Sequence, residues 1–278
     1  MSGTLFIVAT PIGNLEDLTP RARQMLAEVD LIAAEDTRHT GRLLSHIGVK
    51  SRLTALHDHN EEKSVANIIR MLQDGQSVAL VSDAGTPLVS DPGYRLVCAA
   101  RDNDIVVSPI PGASAVIAAL SVAGLATDRF SFEGFGPAKK AARCEWLNAL
   151  AGETRTMVFY ESVHRIADCL ADMVEIFGAD RAAFIGRELT KMHEQCVQSS
   201  LQSLQAMVAD GTIVSKGEFV IAVAGANKQP ASSLDVDWLL LQLAEDLPAK
   251  KVAKIAARIS GKKKNQLYDR LLQLQKIE

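Results

Sequence analysis

Hydrophobic and polar positions change their period along the chain. Short aliphatic runs at 5–9, 31–34, 53–56, 78–81 and 105–107 alternate with longer segments whose apolar residues recur at helical spacing. Runs that are apolar on both faces and separated by helical segments predict the strands of a parallel sheet built from βαβ units. Thr19-Pro20, Pro92-Gly93 and Pro111-Gly112 open helices, and Gly75 closes the helix that begins near residue 61, as capping and proline preferences require. A composition shift at Ala126-Thr127-Asp128 marks a boundary. Beyond it strands are expected at 130–135, 157–160, 182–185, 196–199 and 219–223, with helices at 139–150, 164–177 and 201–209. The polar segment 227–233 reads as a linker, and three short helices follow at 236–245, 249–259 and 266–275. In the middle one Val252, Ile255, Ala256 and Ile259 form an apolar stripe, while Lys251, Lys254 and Arg258 lie on another face. The expected organisation is an α/β domain with a parallel sheet over 1–126, a second α/β domain with a mixed sheet over 127–228, and a small helical basic extension over 234–278.

Composition fits a folded chain: 47% hydrophobic and 23% charged residues, with mean hydropathy +0.08, exclude wholesale disorder. The uncharged stretch 105–127 is broken by Pro109, Pro111 and Gly112, so neither piece reaches the roughly 20 residues of a membrane span. The N-terminus carries no basic segment ahead of its short apolar run, so no signal peptide is expected. Cys98, Cys144, Cys169 and Cys196 are far apart and form no C-x-x-C pair. That spacing argues against a zinc site or disulfide framework and for a reducing cytoplasm. The net charge of −3 is unevenly spread. Residues 248–276 hold nine Lys or Arg against Asp269 alone, a net of +8, which leaves −11 on the rest. Such a segment suits a polyanion.

Neither a dinucleotide G-x-G-x-x-G, a P-loop, nor a G-x-S-x-G elbow occurs. His57 and His59 have metal-like spacing but no neighbouring Cys or carboxylate cluster, and read as an ordinary strand-end pair. What stands out is three small-residue turns at strand ends: Thr10-Pro11-Ile12-Gly13-Asn14, Ser82-Asp83-Ala84-Gly85-Thr86-Pro87 and Pro109-Ile110-Pro111-Gly112-Ala113-Ser114-Ala115. Ligands of open α/β sheets collect beyond the carboxyl ends of the strands, and small residues let a ligand approach the backbone.

These turns also carry a family resemblance. The first loop with Leu15-Glu16-Asp17, the segment Ala34-Glu35-Asp36-Thr37-Arg38, the run from Val81 to Gly93 and Pro111-Gly112-Ala113-Ser114-Ala115 are similar to the tetrapyrrole-methylase superfamily. Phe132-Glu133-Gly134-Phe135, Tyr160-Glu161-Ser162-Val163-His164-Arg165, Arg187-Glu188-Leu189-Thr190-Lys191-Met192-His193-Glu194, Lys216-Gly217-Glu218-Phe219-Val220, Leu247-Pro248-Ala249-Lys250 and Leu267-Tyr268 continue it in order. Within the superfamily the chain resembles the ribosomal RNA small-subunit methyltransferase I branch over nearly its whole length.

The resemblance implies the two-domain class III methyltransferase fold, S-adenosylmethionine as methyl donor, and transfer to the 2′-hydroxyl of a decoding-region cytidine in 16S rRNA or the small ribosomal subunit. It also implies a homodimer. By motif position it assigns cofactor binding to Pro11, Ile12, Ala84, Gly85, Thr86, Val89, Ser114, Ala115, Tyr160, Leu189, Ala224 and Gly225, with Glu161 and Glu188 nearby. Ala84-Gly85-Thr86-Pro87 stands where broader relatives have Gly-Gly-Asp-Pro, so Thr86 supplies a hydroxyl or only its backbone. Candidate catalytic residues are Glu161 or Glu188 to orient or deprotonate the hydroxyl, and Arg38, Arg187 and Lys191 for flanking phosphates, with Asp36, Arg165 and Glu194 also on the rims. The i, i+4 spacing of Glu161 and Arg165 equally allows a structural ion pair. Lys139, Lys140, Arg143, Lys251, Lys254, Arg258, Lys262, Lys263 and Lys264 are the expected RNA contacts, while Trp238 and Tyr268 are expected to pack. Two other readings share these features: a same-fold methyltransferase for a tetrapyrrole or other small molecule, and a non-catalytic RNA-binding assembly factor.

Overall fold

The computed structural model describes residues 2–56, 61–226 and 236–275, the side chains of 61–63 excepted. The first half runs β1 (Thr4–Val8), α1 (Pro20–Glu28), β2 (Leu31–Ala34), α2 (Thr37–His46), β3 (Leu53–Ala55), α3 (Glu61–Gln73), β4 (Val78–Val81), α4 (Tyr94–Asp102), β5 (Val106–Ile110) and α5 (Ala115–Val122). Its sheet has the order β3-β2-β4-β1-β5, all parallel. Alternate residues of β2 and β4 serve opposite cores, which is why both strands read as unbroken apolar runs. Leu31, Ala33, Val78 and Leu80 pack with Leu72 of α3 and Leu96 of α4; Ile32, Ala34, Ala79 and Val81 pack with Leu26 of α1 and Leu43 of α2. The last strand extends past the expected 107 to Ile110 and contains Pro109, tolerated because β5 is an edge.

The second half runs β6 (Phe130–Phe135), α6 (Lys140–Leu150), β7 (Thr156–Ser162), α7 (Ile166–Phe177), β8 (Ala182–Arg187), β9 (Gln195–Ser200), α8 (Leu201–Ala209) and β10 (Glu218–Val223). Its sheet order is β6-β7-β10-β8-β9, with β6 and β7 parallel and the other pairs antiparallel. One face packs Phe159, Ile185 and Ile221 on Leu170 and Met173 of α7 and Leu204 of α8. The other carries Val158, Phe184, Val220 and Ala222 against Val116, Ala119 and Leu120 of α5, joined by Ile12 and Leu189. This shared core makes residues 1–226 one compact unit, with the expected boundary near 126 lying in the short connection from α5 to β6.

Residues 227–278 form a separate unit. Its helices α9 (Val236–Asp246), α10 (Ala249–Ser260) and α11 (Lys264–Leu274) enclose Leu240, Val252, Ala253, Ala256, Leu267 and Leu271. Gly261, at φ +69°, ends α10 in the left-handed conformation that glycine favours. Tyr268 packs on this core, but Trp238 is 61% exposed: Val236 and Leu240 share the buried face of α9, and Trp238 lies on the opposite one. Ile259 is also exposed, so the buried stripe of α10 is shorter than its sequence pattern suggests. The expected linker, 227–233, and the pair His57 and His59 lie outside the described residues. Among the described residues, no helix is long and apolar enough to cross a membrane.

Candidate active site

Because β4, β1 and β5 are neighbours, the loops that follow them leave side by side. Thr10 and Gly85 exchange backbone hydrogen bonds of 2.9 and 3.1 Å, and the Thr10 hydroxyl donates to the Ser82 carbonyl at 3.3 Å. The Thr86 hydroxyl donates to the Ala113 carbonyl at 3.0 Å. Its sequence departure therefore serves to tie two loops together. Gly85 sits at φ +82°, and a Cβ there would lie 3.2 Å from Ile12, so the crossing of the first two loops is built for glycine.

Above this floor, the ends of β7, β8 and β10 in the second sheet border a cavity of about 380 Å³, within the size range of small-molecule sites. Of the residues assigned to a cofactor by resemblance, Ile12, Ala84, Gly85, Thr86, Val89, Ser114, Ala115, Tyr160 and Leu189 line it. Ser114 is the N-cap of α5, but its side chain makes no cap bond. Tyr160 is held between Phe132 and Phe135, at ring distances of 4.8 and 5.4 Å. Burial and the nearby Asp91 charge push its phenol up to about 12.

Three of the assigned residues, Pro11, Ala224 and Gly225, are not among those that line the cavity. Pro11 lines a smaller cleft of about 90 Å³ with His39 and with Asp83, which borders both. Ala224 and Gly225 follow the far end of β10, whose first residues, Glu218 to Val220, are the ones that line the cavity. There the Ala224 N–H bonds the Ala182 carbonyl at 2.8 Å, and a Cβ on Gly225 would meet the Thr154 carbonyl oxygen at 2.0 Å. Gly225 is explained by that backbone contact.

The candidate catalytic residues divide likewise. Val158 and Tyr160 of β7 face α5 and the cavity, so the alternation of the strand turns Glu161 toward α7. Its carboxylate is buried, receives Arg165 Nη2 at 2.8 Å and the Ser162 N–H at 2.7 Å, and lies near Cys169, whose thiol is pushed up chiefly by burial. Glu161 thus forms the structural ion pair that its i, i+4 spacing with Arg165 allows. Arg187 pairs in register with the core residue Phe219. Its guanidinium donates to the carbonyls of Lys216 at 2.6 Å and His193 at 2.8 Å and to Gln195 Oε1 at 3.2 Å, so it pins two loops and is not presented to phosphates.

Glu188, at φ +51°, bonds Lys191 Nζ at 2.8 Å and the Glu218 N–H at 3.0 Å, and Lys191 also reaches Glu218 Oε2 at 2.9 Å. Burial opposes the Glu188 charge, but Lys191 and the amide outweigh it and hold the carboxyl below its usual value. A committed carboxylate of this kind makes a poor base. Gly13 and Gly217 leave room for this pair: a Cβ on either would stand 2.3 Å from the Lys191 or Glu188 side chain respectively. Asp36 caps α2 through the Arg38 N–H at 2.8 Å and grips the Arg38 guanidinium at 2.7 Å, which holds its carboxyl well below the usual range. Arg38 itself is exposed. Glu194 accepts the Thr190 N–H at 2.6 Å.

The acidic edge of the cavity was not among the expected site residues. Glu35, Asp83 and Asp91 line it. Glu35 Oε2 accepts the Asp83 N–H at 3.3 Å, and Asp83 Oδ1 accepts the Asp36 N–H at 3.1 Å. Burial pushes the Asp91 carboxyl up to about 6, opposed by the Ser82 hydroxyl and reinforced by the charges of Glu35 and Asp83. Leu88 and Ser90, in the same loop, sit at φ +73° and +68°, conformations that cost non-glycine residues about 1–3 kcal/mol each and gather at functional sites. Glu35 and Asp83 stand at strand ends and Asp91 in the loop before α4, all within the quoted motifs, but their direction depends on how the loops cross.

Of the expected RNA contacts, Lys139 and Lys140 are exposed at the start of α6. Arg143 is not: it is 3% exposed, with Nε 2.7 Å from Asp172 Oδ2, and an apolar helix face has drawn it inward as part of an ion pair. Lys251, Lys254, Arg258, Lys262, Lys263 and Lys264 are all exposed. Among the described residues, no group of three or more His, Cys, Asp or Glu could hold a metal.

Residues 4–205 match the family model of Tetrapyrrole (Corrin/Porphyrin) Methylases. The same fold is found in uroporphyrin-III-C-methyltransferase from Thermus thermophilus, at TM-score 0.56 and 19% identity, over 80% of this chain and 94% of that one. It is found again in the methyltransferase CobJ, at TM-score 0.58 and 21% identity, over 81% and 95%. Much nearer in sequence are two proteins named ribosomal RNA small subunit methyltransferase I. That of Xylella fastidiosa is 54% identical, covering 96% of this chain and 98% of its own; that of Escherichia coli O157:H7 is 50% identical, covering 98% and 96%. Residues 230–275 match the model of the RsmI C-terminal HTH domain. The chain therefore belongs to the tetrapyrrole methylases and, within them, to the ribosomal RNA small subunit methyltransferase I family.

Proposed function

We propose that this chain transfers a methyl group from S-adenosylmethionine to the ribose 2′-hydroxyl of a decoding-region cytidine in 16S rRNA, using the cavity between its two sheets. The observation that carries the reading is the composition of that cavity. Ala84, Gly85 and Ala115 give a small-residue floor, Val89, Tyr160 and Leu189 an apolar wall, and Glu35, Asp83 and Asp91 an acidic edge. These suit a donor with a purine, a ribose diol and two cationic centres. When bound, S-adenosylmethionine supplies an electrophilic methyl on a sulfonium, and sulfur departs neutral without acid assistance.

The protein contributes mainly alignment, worth about 7–11 kcal/mol for well-oriented reactants. Ile12, Val89, Tyr160 and Leu189 exclude water around the reacting atoms, and Ser114 and Ala115 present the start of α5. The exposure of Arg38, Lys139 and Lys140 supports a role in meeting RNA phosphates, and the C-terminal lysines and Arg258 supply a second basic surface on their own unit. The reading includes a homodimer, supported by Ile117 and Val122, more than half exposed on α5, and a cytoplasmic location, supported by four unpaired cysteines.

Incubation with methyl-labelled S-adenosylmethionine and, in parallel, small ribosomal subunits, naked 16S rRNA and a tetrapyrrole precursor tests this. Label on ribosomal RNA is expected. Label on the tetrapyrrole alone would overturn the assignment.

A further inference from the structure

We propose that Phe135 is the platform on which the base of the nucleotide being methylated stacks, once that nucleotide has left its neighbours in the RNA for the cavity. This rests on the ribose-methyltransferase reading above and names the side chain that holds the acceptor. A pleated strand sends residues three apart to opposite faces, so Phe132 and Phe135 of β6 would ordinarily point apart. Instead Phe132 pairs with Val158 and Phe135 with Tyr160, while between them the register slips and Glu133 is left over. The bulge, with Gly134 at φ +66°, turns Phe135 onto the face that carries Phe132, Val158 and Tyr160. Bulges beside active sites re-aim side chains in this way.

The ring is held from both sides along the chain. Ser90 Oγ lies 3.4 Å from where a Cβ on Gly134 would be, and the Gly136 carbonyl accepts Arg165 Nη1 at 2.9 Å. Phe135 meets the Tyr160 ring at a centroid distance of 5.4 Å, lines the cavity and is 55% exposed. Of the aromatic rings that line the cavity, Phe219 is buried and Tyr160 half-buried, so Phe135 is the one presented to solvent. It stands on the outer strand of the second sheet, across from the small-residue floor on which the donor lies under the proposed function. A donor enclosed there leaves the open part of the ring bare, and an acceptor entering from solvent covers it. The ribose oxygen must come within about 3–3.5 Å of the methyl carbon, which a nucleotide stacked between its neighbours cannot do in a cavity between two sheets. The nucleotide therefore swings out, and an aromatic face replaces the stacking that it loses. Every base has a π-face, so the platform fixes the position of the acceptor and leaves the choice of base to other contacts. Lys139 and Lys140, exposed at the start of α6, come next along the chain and suit the flanking phosphates.

Single-turnover methylation over a series of small-subunit concentrations is the test, with S-adenosylhomocysteine affinity measured by calorimetry on each protein. Phe135→Ala should lower the second-order rate constant for subunits by about 5–150-fold, the worth of stacking one base on an aromatic ring. Its S-adenosylhomocysteine affinity should stay within about threefold of the wild type, which also shows that the cavity is intact. Phe135→Leu keeps apolar bulk without a π-face and should recover little of the loss, whereas Phe135→Tyr should recover most of it. An alanine or leucine variant within about twofold of the wild type would overturn the proposal, because the ring would then be no more than a wall. So would a tyrosine variant no faster than the alanine one. A fall in cofactor affinity equal to the fall in rate would overturn it too, since Phe135 would then contact the donor. Wild-type enzyme that labels no ribosomal RNA would overturn the parent reading as well, and is told apart because it needs no variant.

Discussion

Holding Asp91 in the cavity has a consequence for stability. Its folded pKa, about 6, lies above the 3.8 of an ordinary aspartate. The folded chain thus binds this proton more tightly than the unfolded one, and ionisation weakens the fold. The penalty is fully present above about pH 6 and disappears as the pH falls to about 4. Asp91→Asn should therefore stabilise the protein by about 1–2 kcal/mol at pH 8, after allowance for solvent screening, and by little at pH 4, as read from urea unfolding. A residue that costs stability yet faces a cavity is the signature of a trade made for function. Arg143 should behave oppositely. Arg143→Ala leaves the buried Asp172 with Lys140, at 3.7 Å, as its one remaining ion-pair partner among the described residues. A loss of about 3 kcal/mol is expected in the same urea experiment, with RNA affinity of the folded fraction unchanged because the guanidinium never reached the surface.

At the scale of elements, the site depends on loops that cross, and two glycines separate crossing from mere packing. Gly85→Ala forces a strained φ and presses on Ile12 in the cavity floor. S-adenosylhomocysteine affinity should fall at least about tenfold, as calorimetry would read. Gly225→Ala would collide with the Thr154 carbonyl at the far end of β10. It should lower thermal stability and leave that affinity intact.

This contrast also explains what was legible in the sequence. Strands β2 and β4 announced themselves as apolar runs, and the three turns after β1, β4 and β5 as small-residue punctuation, because both are local signals. Tyr160 and Leu189 followed from motif order. The direction of a side chain at a strand end is not local. Glu161 and Tyr160 are adjacent in one motif, but the pleat sends the tyrosine to the cavity and the glutamate to α7. Asp91 stood inside a quoted motif without a role, since its environment is created by Glu35 and Asp83 arriving from other strands. Arg143 reads as a surface charge because nothing near it in sequence reveals Asp172.

For the molecule as a whole, charge is partitioned. Residues 248–276 carry +8 in a chain whose net is −3, and the compact unit with the cavity is acidic. Under the proposed function, the RNA grip falls to basic residues other than those that line the cavity. Replacing Lys262, Lys263 and Lys264 with Gln should reduce the slope of log affinity against log salt by about 2 to 2.7. Small-subunit binding over a salt series would measure it, and cofactor affinity should not change.

On the proposed function, the cavity delivers a methyl group to a ribose oxygen. The most direct measurement is the chemical position of the label on small ribosomal subunits, by alkaline and nuclease digestion of the methylated 16S rRNA. A single alkali-resistant dinucleotide with the label on a cytidine ribose is the expected result. Label on a base, or RNA that alkali cleaves completely at the labelled nucleotide, would contradict it.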